Sequence, residues 1–407
     1  MQYLPRYTDA ISKLGAGHVN YEQVAQRTAA VTGGLDCSPS FSTHALDSNQ
    51  PVWNMQFRLK ALDDKMGAAL DVLRDLLFAV NPRDIGRLRD VLNQAVTAYR
   101  NYVHGYRCLD IANHHAARGF SRHAYLSEVV FGSTQFRMSE MLLNRFDDSH
   151  EELSDAIEQI RDFLLVRGRV TASFTGSDAA EVLSRKFAEW IDNMRDEPIN
   201  PMPIGFEAFD AYPREGLAAP IQVANCAHII HAPHYSHQDS VFLTIGSHIL
   251  DFDYIMNEIR LKGNAYGGVF EYNPFDALLY QGSYFDPHVA RSLNVFEQTA
   301  DYIKQSEWTQ TDIDKAVIAT AADYQKTVRP GQASTDALTH YLTGQKREMI
   351  EDRYAQLRGA TPKEVRRALL ETLEENKDKA SICVVASREK LEAENQKMDR
   401  PLSIENI

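Results

Sequence analysis

Four cysteines, Cys37, Cys108, Cys226 and Cys383, are all that the 407-residue sequence holds, and they are too scattered for a Cys-x-x-Cys pair, a disulfide framework or a zinc knuckle. A reducing compartment is the expectation. No apolar run is long enough to cross a membrane, and Met1–Tyr7 lacks the basic and apolar regions of a signal peptide. The expected location is the cytoplasm, with an organelle matrix as the alternative. Basic charge is also short: 43 Lys and Arg against 56 Asp and Glu leave a net charge of −13. That balance argues against nucleic acid, whose phosphates need clustered cations, and suits either a basic peptide or plain solubility. Gly-x-Ser-x-Gly does not occur, and the glycine-rich stretch Gly263–Gly268 lacks the Lys-Ser/Thr ending of a phosphate loop.

What is present is an ordinary globular composition, 44% hydrophobic and 24% charged. The length favours two domains of about 200 residues each. A weak internal repeat supports the same division. Thr32-Gly33-Gly34 leads to Pro39 and Phe41 in the first half, and Tyr266-Gly267-Gly268 leads to Pro274 and Phe275 in the second. After each Gly-Gly come strands and then an acidic or proline-marked helix start, at Asp63-Asp64 and at Asp286-Pro287.

The helices that follow are amphipathic. Val289, Leu293, Phe296, Ala300 and Ile303 share one face in the second half, and Ile85, Leu88, Leu92, Ala95 and Tyr99 share one face in the first. The matching second helix of the second half starts near Thr311-Asp312. Capping boxes are expected at Ser149-x-x-Glu152 and at Thr361-Pro362-x-Glu364. Strands are expected at Val170–Phe174 and Ile382–Ala386, with helices from Ser177 and Ser387.

Three prolines in Asp196–Pro203 mark a linker, placed at 196–216 between a unit at 1–195 and a unit at 217–407. The second unit opens with an apolar strand at Ile221–Ile230 and a helix near Gln238–Met256, whereas the first opens directly in a helix at Tyr3–Leu14. A leading strand is missing there, so the chain reads as a piece of something longer. The expected class is α+β: two tandem units, each a mostly antiparallel sheet covered by helices on one side.

Arg260-Leu-Lys-Gly-Asn-Ala-Tyr266-Gly267-Gly268, together with Tyr21-x-x-Val24-x-x-Arg27 before the first Gly-Gly, resembles the C-terminal half of zinc metalloendopeptidases of the pitrilysin/insulinase family, presequence-protease (falcilysin-like) branch. The likeness runs in order through most of the chain. It implies a clamshell of four homologous αβ units closing around a chamber in which short unfolded peptides are cut. It implies that zinc and its base come from the other half, whose motif is His-x-x-Glu-His. None of the 14 histidines here stands in that motif, and His150-Glu151 does not complete His-Glu-x-x-His. The isolated chain is therefore expected to be inactive. It also implies that Arg260 and Tyr266 bind the substrate backbone and stabilise the oxyanion, although an Arg at a helix end and a Tyr beside a turn are ordinary structural residues. The implied partners are an N-terminal catalytic half, in the same or a separate chain, and unfolded peptides. The alternative is a zinc-less scaffold subunit paired with a separate catalytic chain.

The histidines His228, His231, His234 and His237 form the other candidate cluster. Their spacing of three fits neither a strand face nor, with Pro233 among them, a helix, so no metal is expected in this chain. His114-His115 and His123 lie in a stretch dense with Arg118 and Arg122 and are weaker candidates still. The Glu- and Lys-rich stretches 371–379 and 388–399 read as solvated helix faces.

Overall fold

The computed structural model describes residues 1–105, 107–176, 180–198, 204–324 and 327–407. The first half runs α1 (Leu4–Lys13), α2 (Tyr21–Val31), β1 (Gly34–His44), β2 (Asp47–Lys60), α3 (Met66–Ala79), α4 (Ile85–Val103), α5 (Cys108–Ala117), α6 (Arg122–Phe131), α7 (Ser133–Asn144), α8 (Phe146–Leu164) and α9 (Ala180–Asp192). The second runs β3 (Arg214–Ala218), β4 (Ala224–His231), α10 (Ser240–Leu250), a π-helical turn (Asp251–Leu261), β5 (Gly267–Asn273), β6 (Leu278–Asp286), α11 (Ala290–Glu297), α12 (Thr299–Gln305), α13 (Gln310–Tyr324), α14 (Pro330–Thr343), α15 (Arg347–Gly359), α16 (Pro362–Glu375), β7 (Ser381–Ala386), α17 (Arg388–Asn395) and β8 (Ser403–Asn406). Strand β3 starts inside the stretch expected to be linker. The fold is α+β, and among the described residues no helix is long and apolar enough to cross a membrane.

Two separate sheets are built. The antiparallel β1–β2 hairpin stands alone, and the second half makes a six-stranded sheet in the order β5-β6-β4-β7-β3-β8. In the larger sheet β5–β6, β6–β4 and β4–β7 are antiparallel, while β3 runs parallel to both β7 and β8. In the hairpin, Leu35, Cys37, Met55 and Phe57 turn to the core of α1, α4, α7 and α8. The alternate positions on its other face are polar: Asp36 opposite Arg58, Ser38 opposite Gln56 and Ser40 opposite Asn54.

Helices cover the large sheet on both faces, not one. All six residues of β7 are buried. Such a run cannot leave a wet face. Ile382, Val384 and Ala386 join the core under α10, α11 and α16, where Leu293, Phe296, Ile303 and Val365 are also buried. Each such aliphatic side chain contributes about 1.5–3 kcal/mol on full burial. Cys383 and Val385 point the other way with Ala227 and Ile229, against Leu109, Ile111 and Ala112 of α5. A helix from the first half thus roofs the sheet of the second.

Two local expectations fail. Val170–Phe174 is not a strand, since in the second half the matching β7 is held between β4 and β3, and the described residues of the first half offer no such neighbours for a ladder. Ser149 does not cap a helix. Helix α8 has already begun at Phe146, and the Ser149 hydroxyl donates back to the Arg145 carbonyl. The box at Thr361 and Glu364 does form, both halves of it. The start expected at Ser177 lies outside the described residues.

Candidate functional site

The π-helical turn Asp251–Leu261 ends in a tight return. Asn264 sits in the left-handed region at φ 58° and donates its N–H to the Arg260 carbonyl at 3.0 Å. Ala265 donates to the Ile259 carbonyl at 3.2 Å. This is an αL helix end, with Asn in the position that tolerates positive φ. Gly263 is required within it, because a Cβ there would lie 2.4 Å from the Ile259 carbonyl oxygen. The consequence is that residue 266 is folded back beside residue 260. The Arg260 guanidinium carbon lies 5.9 Å from the Tyr266 ring centroid, within cation–π range.

Both side chains face solvent. Tyr266 is 64% exposed, and Arg260 is exposed with no carboxylate partner among the described residues. Nearby Glu258 is engaged instead by Lys262 at 2.6 Å and Arg291 at 3.8 Å. A guanidinium without a carboxylate and a phenol on one surface can together meet a carbonyl oxygen that is gaining negative charge.

Gly267 and Gly268 then let β5 pass close under its neighbours. A Cβ on Gly267 would lie 2.3 Å from the Tyr284 hydroxyl oxygen, and one on Gly268 would lie 2.6 Å from Ile255 Cγ2 and 3.0 Å from Ile259 Cγ2. Gly268→Ala is expected to lose about 1–3 kcal/mol, because the π-helical turn must move outward. Urea unfolding of the variant measures it, and an unchanged free energy would show that the strand does not need the close approach.

Opposite Tyr266, strand β6 carries a bulge. Ala224 pairs with Asp286 and Cys226 with Ser283, so Asn225 alone faces the two residues Tyr284 and Phe285. Phe285 takes φ 48°, a strained value for an aromatic residue, and its carbonyl accepts the Tyr266 N–H at 3.3 Å. The Tyr266 ring stands 5.8 Å from that of Tyr284 and 6.0 Å from that of Phe285. Arg260 and Tyr266 were legible as candidates. The bulge and Asn225 were not singled out, although a lone Asn inside the apolar run 223–230 was a visible signal.

The histidine run stays dispersed. His228 is buried on β4, and burial pushes its imidazole down to about 4. His231 packs edge-on against Phe120, His234 bonds Thr43 Oγ1 at 3.2 Å, and His237 Nδ1 accepts from the Asp239 N–H at 3.1 Å. Among the described residues, no three His, Cys, Asp or Glu side chains gather as metal ligands.

Two family models match the chain in tandem: the associated domain of M16 peptidases of subfamily C over 1–142, and the "PreP C-terminal domain" over 214–388. The chain belongs to the M16 peptidase family. It corresponds to the C-terminal half of a presequence-protease-like M16 peptidase. Similar curated proteins include "Presequence protease, mitochondrial" of Gibberella zeae, 25% identical over 90% of this chain and 37% of that protein. "Protein HypA" of Clostridium perfringens is 21% identical over 96% of this chain and 39% of its own length. The chain thus spans well under half the length of these M16 relatives.

Among solved structures, the "peptidase M16 inactive domain" of Pseudomonas fluorescens aligns with TM-score 0.62 at 14% identity, over 94% of this chain and 87% of that one. The periplasmic protease PqqL of Escherichia coli aligns with TM-score 0.61 at 11% identity, over 94% of this chain and 40% of that one. At such identities the likeness speaks for the fold.

Proposed function

We propose that this M16 chain is the non-catalytic half of a zinc metalloendopeptidase that degrades short unfolded peptides in a closed chamber. The observation that carries the reading is the pairing of Arg260 and Tyr266, exposed and without ion-pair partners among the described residues, on a loop whose glycines hold them together. In this reading the zinc and the base lie in the N-terminal half. What this chain adds is a guanidinium that orients the peptide backbone and a phenol that donates to the substrate oxygen as charge develops on it. Residues 1–195 and 217–407 are the two pitrilysin-type units, joined through 196–216. The repeated order of helix, hairpin, helix pair, capped helix and closing helix supports that division. The mitochondrial setting in the names of relatives favours an organelle matrix over the cytoplasm for this chain.

The test compares this chain with the full-length protein on a fluorogenic unstructured peptide. We expect no turnover and no stoichiometric zinc for the chain alone, and chelator-sensitive turnover for the full-length protein. Chelator-sensitive turnover by the chain alone overturns the assignment of chemistry to the other half. A full-length protein that binds peptides without cleaving them would identify a scaffold subunit instead.

A further inference from the structure

A cavity of about 300 Å³ opens on the far side of the Tyr284–Phe285 bulge from Tyr266. Val103 at the end of α4, Ile221 and Val223 before β4, Asn225 and Phe285 form its walls. Most of this lining is apolar. The exception is Asn225, which is 1% exposed. Its carbonyl oxygen is fixed by the Phe285 N–H at 3.4 Å, which leaves the NH2 as the free end, and that nitrogen is buried with no hydrogen-bond partner among the described residues.

A buried amide donor left unmade costs about 1–3 kcal/mol, so it persists where something else satisfies it. The strand parity agrees, since Ala224, Cys226 and Ile230 point to the α10 side of the sheet and Asn225 to the opposite side, where Val103 lies. The bulge that holds Phe285 at φ 48° is what aims this wall at the opening.

We propose that this cavity is a peptide-residue subsite: it takes one apolar side chain, and Asn225 Nδ2 donates to a carbonyl oxygen of the same peptide. The inference rests on the reading of Arg260 and Tyr266 as substrate contacts, because both features flank one two-residue bulge and one extended peptide can meet both. A peptide suits the cavity chemically. It offers an apolar group and an adjacent acceptor, where a purely hydrocarbon ligand leaves Asn225 unsatisfied and an ionic ligand finds no buried countercharge in the wall.

The experiment uses the 407-residue chain with its Asn side-chain amides 15N-labelled, titrated with the blocked peptide acetyl-Ala-Leu-Ala-amide and, as control, acetyl-Ala-Gly-Ala-amide. We expect a saturable shift of the Asn225 NH2 signals with the leucine peptide and a much weaker response to the glycine peptide. Asn225→Asp keeps an acceptor for Phe285 N–H but removes the donor, and should weaken binding about tenfold, the worth of one such hydrogen bond. Val223→Trp fills the opening from a loop position and should abolish binding, so the test does not hang on the folding of one buried variant.

In the full-length protein Asn225→Asp should raise KM for apolar peptides about tenfold with kcat preserved. No shift at Asn225 with either peptide, or equal shifts with both, overturns the subsite. Binding at Asn225 in a protein that never cleaves peptides would leave the subsite standing and remove the proposed function.

Discussion

Arg260→Ala in the full-length peptidase is expected to lower kcat for an unstructured peptide at least a hundredfold, and Tyr266→Phe about a hundredfold, with thermal stability unchanged in both. The size comes from what donors aimed at a developing oxyanion are worth, about 2.7–4 kcal/mol each in an enclosed site. Arginine should be at least as costly, since its loss removes a charge as well as hydrogen bonds. The absence of a stability cost follows from the environment. Arg260 and Tyr266 are exposed, and the loop that carries them is set by Asn264, Gly263 and the buried Ala265 rather than by either side chain. Turnover, KM and the unfolding midpoint measured on the same preparations decide it. Full activity in both variants, or activity lost only in step with stability, would return the pair to an ordinary helix-end contact. A fall in kcat would place them at the reacting bond, whereas a rise in KM alone would place them only in ground-state binding.

The parts of this structure readable from sequence are those governed by local rules. The helix faces around Leu88–Leu92 and Leu293–Phe296, the box at Thr361 and the glycine turn at 263–268 each follow from spacing within one or two turns of chain. What could not be read is decided by partners far away in sequence. Val170–Phe174 has strand composition and no strand, because a ladder needs neighbours that the described residues of the first half do not present. Helix α5 roofs the sheet of the other half, and its apolar positions do not say which sheet they meet. Asn225 looked like one polar residue in an apolar strand. Only the bulge opposite it shows why its amide is left without a partner. The histidine run is dispersed for a geometric reason legible in its spacing, since residues three apart on a strand cannot share a face.

The largest stability effect is expected from Glu128→Gln, at the seam between the halves. His115 on α5 lies between two carboxylates: Nδ1 is 3.3 Å from Glu128 on α6, and Nε2 is 3.3 Å from Glu215 on β3. Arg118 pairs with Glu215 at 2.8 Å, and Glu128 also accepts from the Ser133 hydroxyl at 2.8 Å and the Thr134 N–H at 2.9 Å. Glu128 is 1% exposed and His115 5%. Both ring nitrogens can donate only when the imidazole is protonated, and only then do two carboxylates, one guanidinium and one imidazolium balance. Burial alone would lower the His115 pKa, but the hydrogen bonds from Glu128 and Glu215 outweigh it and raise it above 6.5. Burial likewise opposes the charged forms of the two carboxylates, yet bonds from His115 hold both below the ordinary 4.5, with Glu215 at about 2. Removing one partner of a buried charge cluster typically costs about 3–5 kcal/mol, because the remaining charge stays buried. Glutamine keeps the shape, so no cavity term confuses the result.

The pH dependence fixes the mechanism. The raised His115 pKa contributes stability that is complete below 6.5 and is lost as pH climbs through the folded value. The depressed carboxylates contribute above 4.5, and Glu215 loses its share only as pH falls towards about 2. The native chain should therefore be most stable from just above 4.5 up to the folded His115 value, and should weaken on its alkaline side. Glu128→Gln should lose most within that window and show a flatter alkaline limb, because His115 then keeps a single carboxylate. Urea unfolding from pH 4 to pH 9 reads both features. A loss under about 1 kcal/mol, or one that is equal at every pH, would show that the seam is held by the apolar contacts of α5 and not by its charges.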